Sequence, residues 1–449
     1  MENKKNMLNR RNFILTSSAV GGYFFNPFNL FAGSNKTISW WNQFDSPTTK
    51  DVFPIVVKQF EDNHPGIKVE FELTGGPPGG GDYIEVLLAR IASGNPPDTI
   101  TLWSPPSQFG SRGALEPLDG MMAKAKIAKK NAFYEGVLSS CVWKGKIYGL
   151  PASAGAGSIF INKDIFSKRG ISTKRDDFPK TWDEIKRLSA EITQWKGDEL
   201  IVAGYVPWAN SWLKPLWSGL NGGKLFDPST NKYVLNSEQN IEWLDFWLQW
   251  LNEQYKGDVD SLNTFAGGKW ESVYPESAFN LNKQGMAAAG SWACTDRAWN
   301  VGWEVAKFPV GPSGSKSMTA YWPNWFSIPK GCKNIEEAFL FIEHFTTEGW
   351  ITWYKAVMDT PAWKGFPSDV VTEKLVAQEG KARAMDIHHF YANYLEDAVE
   401  MWNSPIEDYA SDTINSAIDE VLHKVKSPKE ALKEAQKRCQ SKLEKTLAG

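Results

Sequence analysis

Residues 146–162 read KIYGLPASAGAGSIFIN, and the fold turns on this stretch. Two extended runs, KIYGL and SIFIN, are separated by proline, glycine and small residues, a composition suited to a segment that crosses from one lobe to another. Upstream the grammar is different. TISWW (37–41) is a β-type run, and Phe53, Val56, Val57 and Phe60 recur at helical spacing until His64–Pro65–Gly66 stops the helix. IKVEFEL (67–73) alternates as a strand, YIEVLLARIASG (83–94) is a helix halted at Gly94, and TITLW (99–103) is a strand again. Strand–helix alternation of this kind predicts an α/β lobe around a mainly parallel sheet.

Beyond the crossing, TWDEIKRLSAEIT (181–193) has Thr181 as N-cap and Glu184 at the capping-box position. IEWLDFWLQWLNE (241–253) is a strongly apolar helix whose Trp243, Trp247 and Trp250, spaced by four and three, belong to a core. Residues 329–357 form two helices with Trp350 and Trp353 packed, and 412–447 are helical with a break at Ser427–Pro428.

At 449 residues the chain exceeds one ordinary core, so two lobes are expected. Forty-nine basic side chains against 52 acidic ones give a formal charge of −3, which points away from a nucleic-acid partner. Tryptophan is the anomaly: there are 22, and aromatics reach 13%. Such an excess means either heavy cores or flat apolar surfaces for a ligand that itself has flat apolar faces, as sugars do. Cys141, Cys294, Cys332 and Cys439 contain no C-x-x-C, and both disulfides and buried free thiols remain open.

The N-terminus carries an address. Arg10 and Arg11 in NRRNFIL precede an uncharged stretch from Phe13 to Ala32, with small residues at Ala32–Gly33. Residues 1–33 are therefore expected to be a cleavable export signal of twin-arginine type. The alternative is a membrane anchor, but the clearly apolar run is shorter than the ~20 residues a span requires. The mature protein is expected to be periplasmic or otherwise extracytoplasmic.

Catalytic signatures are missing. GGPPGGGDY (75–83) lacks the G-K-[S/T] of a phosphate-cradling loop, and SAGAGSIF does not complete G-x-G-x-x-G. No G-x-S-x-G elbow occurs. His388 and His389 are adjacent, diverge on a helix, and read as a solvated pair rather than metal ligands. A carboxylate pair for glycoside hydrolysis is spatial, and no Asp or Glu stands in a context that singles it out. No catalytic residue, cofactor or metal is assigned.

GSWACTDRAWNVGW (290–303) raises the sharpest question. Trp292, Trp299 and Trp303, spaced by seven and four, would share one face of a helix and fill a core. Gly290 and Gly302 fit a helix interior poorly, each costing about 1 kcal/mol relative to alanine.

Several stretches in order resemble one family, the extracellular solute-binding proteins of ABC sugar importers, the maltose-binding-protein-like group. They are ISWWNQFD with VVKQFEDNHPGIKVEFE; LLARIASGNPPDTITLW; GKIYGLPASAGAGSIFINKDIFSKRGI with FPKTWDEIKRLSAEI; and SPKEALKEAQKRCQSKLEKTL. NLNKQGMAAAGSW and KFPVGPSG fall between them in the matching order. The resemblance implies a two-lobed periplasmic-binding-protein-like (Venus-flytrap) fold of class α/β, each lobe a mainly parallel sheet flanked by helices. It places lobe 1 at 34–152 and 314–362, and lobe 2 at 153–313 and 363–449, with a carbohydrate ligand in the cleft and ABC permease membrane subunits as partners of a monomer.

In such lobes the ligand lies beyond the carboxyl ends of the strands. Trp41, Asn42, Gln43 and Asp45 follow the first strand, and Trp103 with Ser104 follows TITL. By the resemblance, Trp103, Trp212 and Trp292 match aromatic positions of the family's sugar site, with Asp296 close to the last. Trp208 precedes the second of them, Trp402 lies where a further stacking residue often sits, and Trp322, Trp325 and Trp363 lie near lobe crossings. An indole face suits the C–H face of a pyranose, and Asn, Gln, Asp and backbone groups suit its hydroxyl rim. Trp299 and Trp303 are assigned to structure. Where a maltose-type site has carboxylates, this chain has the small residues of ASAGAG and Asn210–Ser211, so the sugar stays open. A secreted carbohydrate-active hydrolase is a competing reading, as is a receptor for another polar solute such as a glycerophosphodiester or polyamine. Arg297 and Lys364 keep a phosphate ligand in view.

Overall fold

The structure is a computed structural model that describes residues 36–44, 47–71, 82–270, 275–296, 299–399 and 404–448. The export-signal expectation, Asp45, Arg297 and Trp402 lie outside the described residues.

Two sheets organise the chain. The first has five strands, β1 (Lys36–Trp41), β2 (Ile67–Phe71), β3 (Thr99–Leu102), β4 (Leu150–Pro151) and, from far along the chain, β8 (Trp325–Ser327), in the order β2–β1–β3–β8–β4. β1 pairs in parallel with both β2 and β3, while β8 runs antiparallel to β3 and β4. Helices α1 (Pro47–Asn63) and α2 (Tyr83–Ala92) make the two crossovers. The apolar stripe read from sequence is the buried face of α1, with Phe53, Val56 and Phe60 fully covered. At the centre Trp40 is ringed by Phe53, Phe71, Phe326, Phe341 and Phe345 at 5.1–5.8 Å, and its Nε1 donates to Thr101 Oγ1 at 2.9 Å.

The second sheet is β5 (Gly157–Asn162) flanked by β6 (Met286–Gly290) and β7 (Trp303–Ala306). Both flanking strands run antiparallel to β5, so the two-lobed α/β class holds but the expectation of a mainly parallel second sheet does not. The reason is physical. All residues of β5 and β6 are buried, and such continuously covered runs carry no alternation from which strand direction can be inferred.

Helices α4 (Trp182–Ile192), α5 (Lys214–Leu220) and α6 (Glu238–Gln254) pack beside this sheet; α3 (Pro106–Ser111) belongs to the first. The capping box of α4 is present, Glu184 N donating to Thr181 Oγ1 and Thr181 N donating to Glu184 Oε2. Trp182, Trp217, Trp243, Trp247 and Trp250 are fully buried together, which accounts for much of the tryptophan excess. Helices α7 (Ile335–Thr346) and α8 (Glu348–Ala356) cover the first sheet, α9 (Lys381–Leu395) packs near β5 and β7, and α10 (Glu407–Leu422) with α11 (Pro428–Ala448) packs on α6.

Three segments pass between the two cores side by side. Ala152 N donates to Asn324 O at 2.8 Å, Trp322 N to Ala154 O at 2.9 Å, Ala154 N to Thr360 O at 2.7 Å, and Ala362 N to Ala152 O at 3.1 Å. Asn324 adds side-chain bonds to Ser153 Oγ and Asp359 Oδ2, each 3.0 Å. ASAGAG is thus the first crossing, as its composition implied, and the small side chains let the other two crossings lie against it. Gly155 has φ +55°, and an added Cβ would strike the Trp322 carbonyl.

Candidate functional site at the crossings

The first sheet offers one wall. Because β1 feeds α1 and β2 on one side while β3 lies on the other, the crevice beyond the carboxyl ends of β1 and β3 is a topological switch point. The Tyr83 hydroxyl reaches the carbonyl oxygens of Trp41 and Thr101, each at 3.0 Å, and fixes the two strand ends together; burial pushes its phenol pKa well above the usual value. Trp41 is buried against Tyr83 and beneath Arg90, whose guanidinium sits 5.7 Å from the ring centre. Asn42 is also buried, both of its side-chain polar atoms bonded to the Phe44 backbone, so it shapes the loop. Gln43 Oε1 accepts from Trp103 N at 2.8 Å, and the Trp103 side chain is left 57% exposed.

The second wall is aromatic. Trp212, Trp292 and Trp322 come from three separate segments and meet, with Trp212 5.5 Å from Trp292 and 5.0 Å from Trp322, perpendicular to the latter. Their seats are glycines. Gly157 and Gly290 pair across β5 and β6; a Cβ on Gly157 would lie 2.9 Å from the Trp322 ring, and one on Gly290 would overlap the Trp292 ring. The trio is wired into the crossings. Ser291 N donates to Ala156 O at 2.8 Å, and Met358 N donates to Thr295 Oγ1 at 2.7 Å, so the loop carrying Trp292 hangs from the first and third crossings. Trp322 lies in the second. Asn210 Nδ2 holds the approach to Trp212 by donating to Ala288 O at 2.6 Å.

Trp292 follows the end of β6 in a turn, a short helix spans Ala293–Asp296, and Trp303 opens β7, so the three tryptophans share no helix. Trp299 stacks on Phe160 at 5.2 Å, and Trp303 is buried beside it at 5.6 Å. Both are structural, as assigned.

Other sequence candidates fall elsewhere. Trp208 is buried in the second core against Trp247 and Tyr255, and Trp325 is buried in the first with its Nε1 donating to Ser140 Oγ at 2.8 Å. Neither meets the trio; an apolar flank beside each indole drew it into a core. Trp363 is half-buried where its backbone bridges Phe133. Ser104 donates to Asp408 at the start of α10, at 2.9 Å. The side chain of Asp296 is not described. Lys364 reaches over the Tyr134 ring. His388 is not solvated as read: its Nδ1 is 2.6 Å from the Tyr354 hydroxyl, and burial lowers its pKa. All four cysteines are buried free thiols, and burial pushes Cys294, Cys332 and Cys439 up to about 12.

Among the described residues the groups nearest the trio are mostly uncharged. Around the trio lie indoles, amides and hydroxyls, and several polar atoms there are buried without a hydrogen-bond partner among the described residues: Asn210 Oδ1, Ser291 Oγ, Trp322 Nε1 and Thr360 Oγ1. The same holds for the indole nitrogens of Trp182, Trp217, Trp243, Trp247 and Trp250 in the second core, so the unpaired atoms do not by themselves mark a ligand. Lys214, two residues past Trp212, is buried with its ammonium 3.9 Å from Asp419, and burial lowers its pKa. Among the described residues no three His, Cys, Asp or Glu side chains gather as metal ligands. Sequence reasoning missed Gly157, Gly290, Thr295 and Asp408. The glycines carried a signal, Gly157 opening and Gly290 closing a covered strand at the edge of the crossings.

The chain belongs to the bacterial extracellular solute-binding protein family, whose profile matches residues 46–351. The multiple sugar-binding protein of Streptococcus mutans is 26% identical over 351 residues, covering 74% of this chain and 76% of that one. Among solved structures, CpMnBP1 with mannotriose bound superposes with a TM-score of 0.73 at 22% identity, over 89% of this chain and 98% of that one. An ABC substrate-binding protein of Listeria monocytogenes in complex with cycloalternan gives 0.72 at 21% identity, over 92% and 100%.

Proposed function

We propose that this chain is the extracytoplasmic substrate-binding protein of an ABC importer, holding an oligosaccharide between two lobes and delivering it unchanged to the permease subunits. The observation that carries this reading is the Trp212–Trp292–Trp322 cluster, built from three segments at the lobe crossings. Indole faces take the apolar faces of pyranose rings, and the neutral polar atoms take hydroxyls. The sugar-binding name of the Streptococcus mutans relative and the oligosaccharides bound in the two solved structures support the same class of ligand. The two lobes follow residues 34–152 with 314–362 and 153–313 with 363–449, and Trp103 and Gln43 face the sugar from the first. The mature protein is a monomer that starts near residues 33–36, after removal of a twin-arginine signal.

A thermal-shift screen of mono- and oligosaccharides tests this. A sugar present at 100 times its Kd adds about 2.7 kcal/mol of stability. An oligosaccharide that raises the melting temperature and is recovered intact supports the reading; cleavage products would make the protein a hydrolase, and no shift with any sugar would overturn it.

A further inference from the structure

We propose that Asp408 is an interlobe latch, and that it sets how far the protein is closed before any sugar arrives. The carboxylate begins α10, whose Ala410 and Ile414 pack in the second core. It reaches across to the first core at two points: Ser104 Oγ donates to Oδ1 at 2.9 Å, and Gln108 Nε2 donates to Oδ2 at 2.5 Å. The Asp408 N–H returns a bond to Gln108 Oε1 at 3.0 Å. Gln108 is buried on α3 next to Phe109 of the first core, so the amide is held rigidly, and both of its polar atoms are committed to one residue of the other lobe.

The position of this contact gives it its role. It is separate from the backbone bonds of the three crossings, and it joins the loop just after Trp103 to the start of α10. Rotation of one core against the other about the crossings must break all three bonds at once, because α3 and α10 belong to different cores. A contact made in one state and absent in the other shifts the equilibrium toward the state that has it. Sugar affinity then depends on the fraction already in the binding-competent form. Asp408 thus acts as a positioning residue, through the closure it holds.

The inference rests on the two-lobed sugar-receptor reading, but its first test needs no ligand. Small-angle scattering is recorded on the sugar-free protein, Asp408→Ala and Asp408→Asn. Asp408 is exposed, so Asp408→Ala folds; circular dichroism and melting temperature confirm it. The latch predicts a larger radius of gyration for Asp408→Ala, with Asp408→Asn, which keeps the shape and hydrogen-bonding capacity, close to wild type. With a binding sugar in hand, Asp408→Ala weakens affinity about tenfold, and adding Ser104→Ala to it weakens affinity no further. Equal sugar-free scattering of wild type and Asp408→Ala overturns the latch whatever the ligand proves to be. A scattering change with no sugar binding keeps the latch and refutes the sugar reading.

Discussion

Gly290→Ala should damage binding through a residue that no ligand touches. The Cβ it adds would overlap the Trp292 ring, just as a Cβ on its cross-strand partner Gly157 would press on the Trp322 ring. The Trp292 ring is the part free to move, because it is only half-buried while β6 is fully covered. A sugar face on that indole buries ~50 Å² of apolar surface, or ~1–1.5 kcal/mol at ~25 cal/mol/Å². Misplaced hydroxyl partners raise the loss to ~2–3 kcal/mol, a roughly 30- to 150-fold weaker affinity. Overpacking adds a stability cost of ~1–3 kcal/mol. Trp292→Ala should match that affinity loss and cost ~1–2 kcal/mol of stability, since the ring gives up its 5.5 Å contact with Trp212. The decisive variant is the double one. With the ring deleted the three atoms nearest the new methyl are gone, so Gly290→Ala should cost much less in the Trp292→Ala background than in wild type. Calorimetric titration and urea unfolding on the four proteins complete the cycle. Additive losses, or normal binding by Gly290→Ala, would refute the glycine-seat reasoning.

Trp303→Ala and Trp208→Ala should each cost ~3–5 kcal/mol in urea unfolding, because both rings are buried in cores, and the folded fraction should bind sugar normally. His344 is buried, which lowers its pKa below 6.5, so the native state holds it neutral while the unfolded chain protonates it. Stability contributed by the neutral ring is full above pH 6.5 and falls as pH drops below it; the unfolding free energy of wild type minus that of His344→Gln should decline there by at most ~1.4 kcal/mol per pH unit, and a flat difference would contradict the assignment. With four buried free thiols, a reducing agent should leave the melting temperature unchanged, whereas a fall would reveal a disulfide.

Much of this was legible in the sequence, for identifiable reasons. The stripe on α1, the Thr181 capping box and the tryptophans of α6 obey local periodicities, and local rules survived folding. ASAGAG announced a crossing because small residues permit close backbone approach, and three crossings do lie there. Strand direction in the second sheet was not legible, since β5 and β6 are covered throughout. The site was half legible. Residue type singled out tryptophan, but Trp208 and Trp212 stand four apart with similar neighbours, and only the packing separates a core indole from one that meets Trp292. Asp408 left no trace, because its partners Ser104 and Gln108 lie some three hundred residues away.

The central claim is that the sugar lies between the cores, against Trp212, Trp292 and Trp322. A crystal structure of the protein with the oligosaccharide selected by the thermal-shift screen tests it most directly. A pyranose face should lie in van der Waals contact with at least one indole of the trio, with hydroxyls within hydrogen-bond distance of Ser291 or Asn210 and both lobes touching the ligand. This placement would be contradicted by a sugar in either of two other hollows, the one of about 640 Å³ between Asp119 and Lys364 or the one of about 610 Å³ between Arg175 and His389, with the trio untouched.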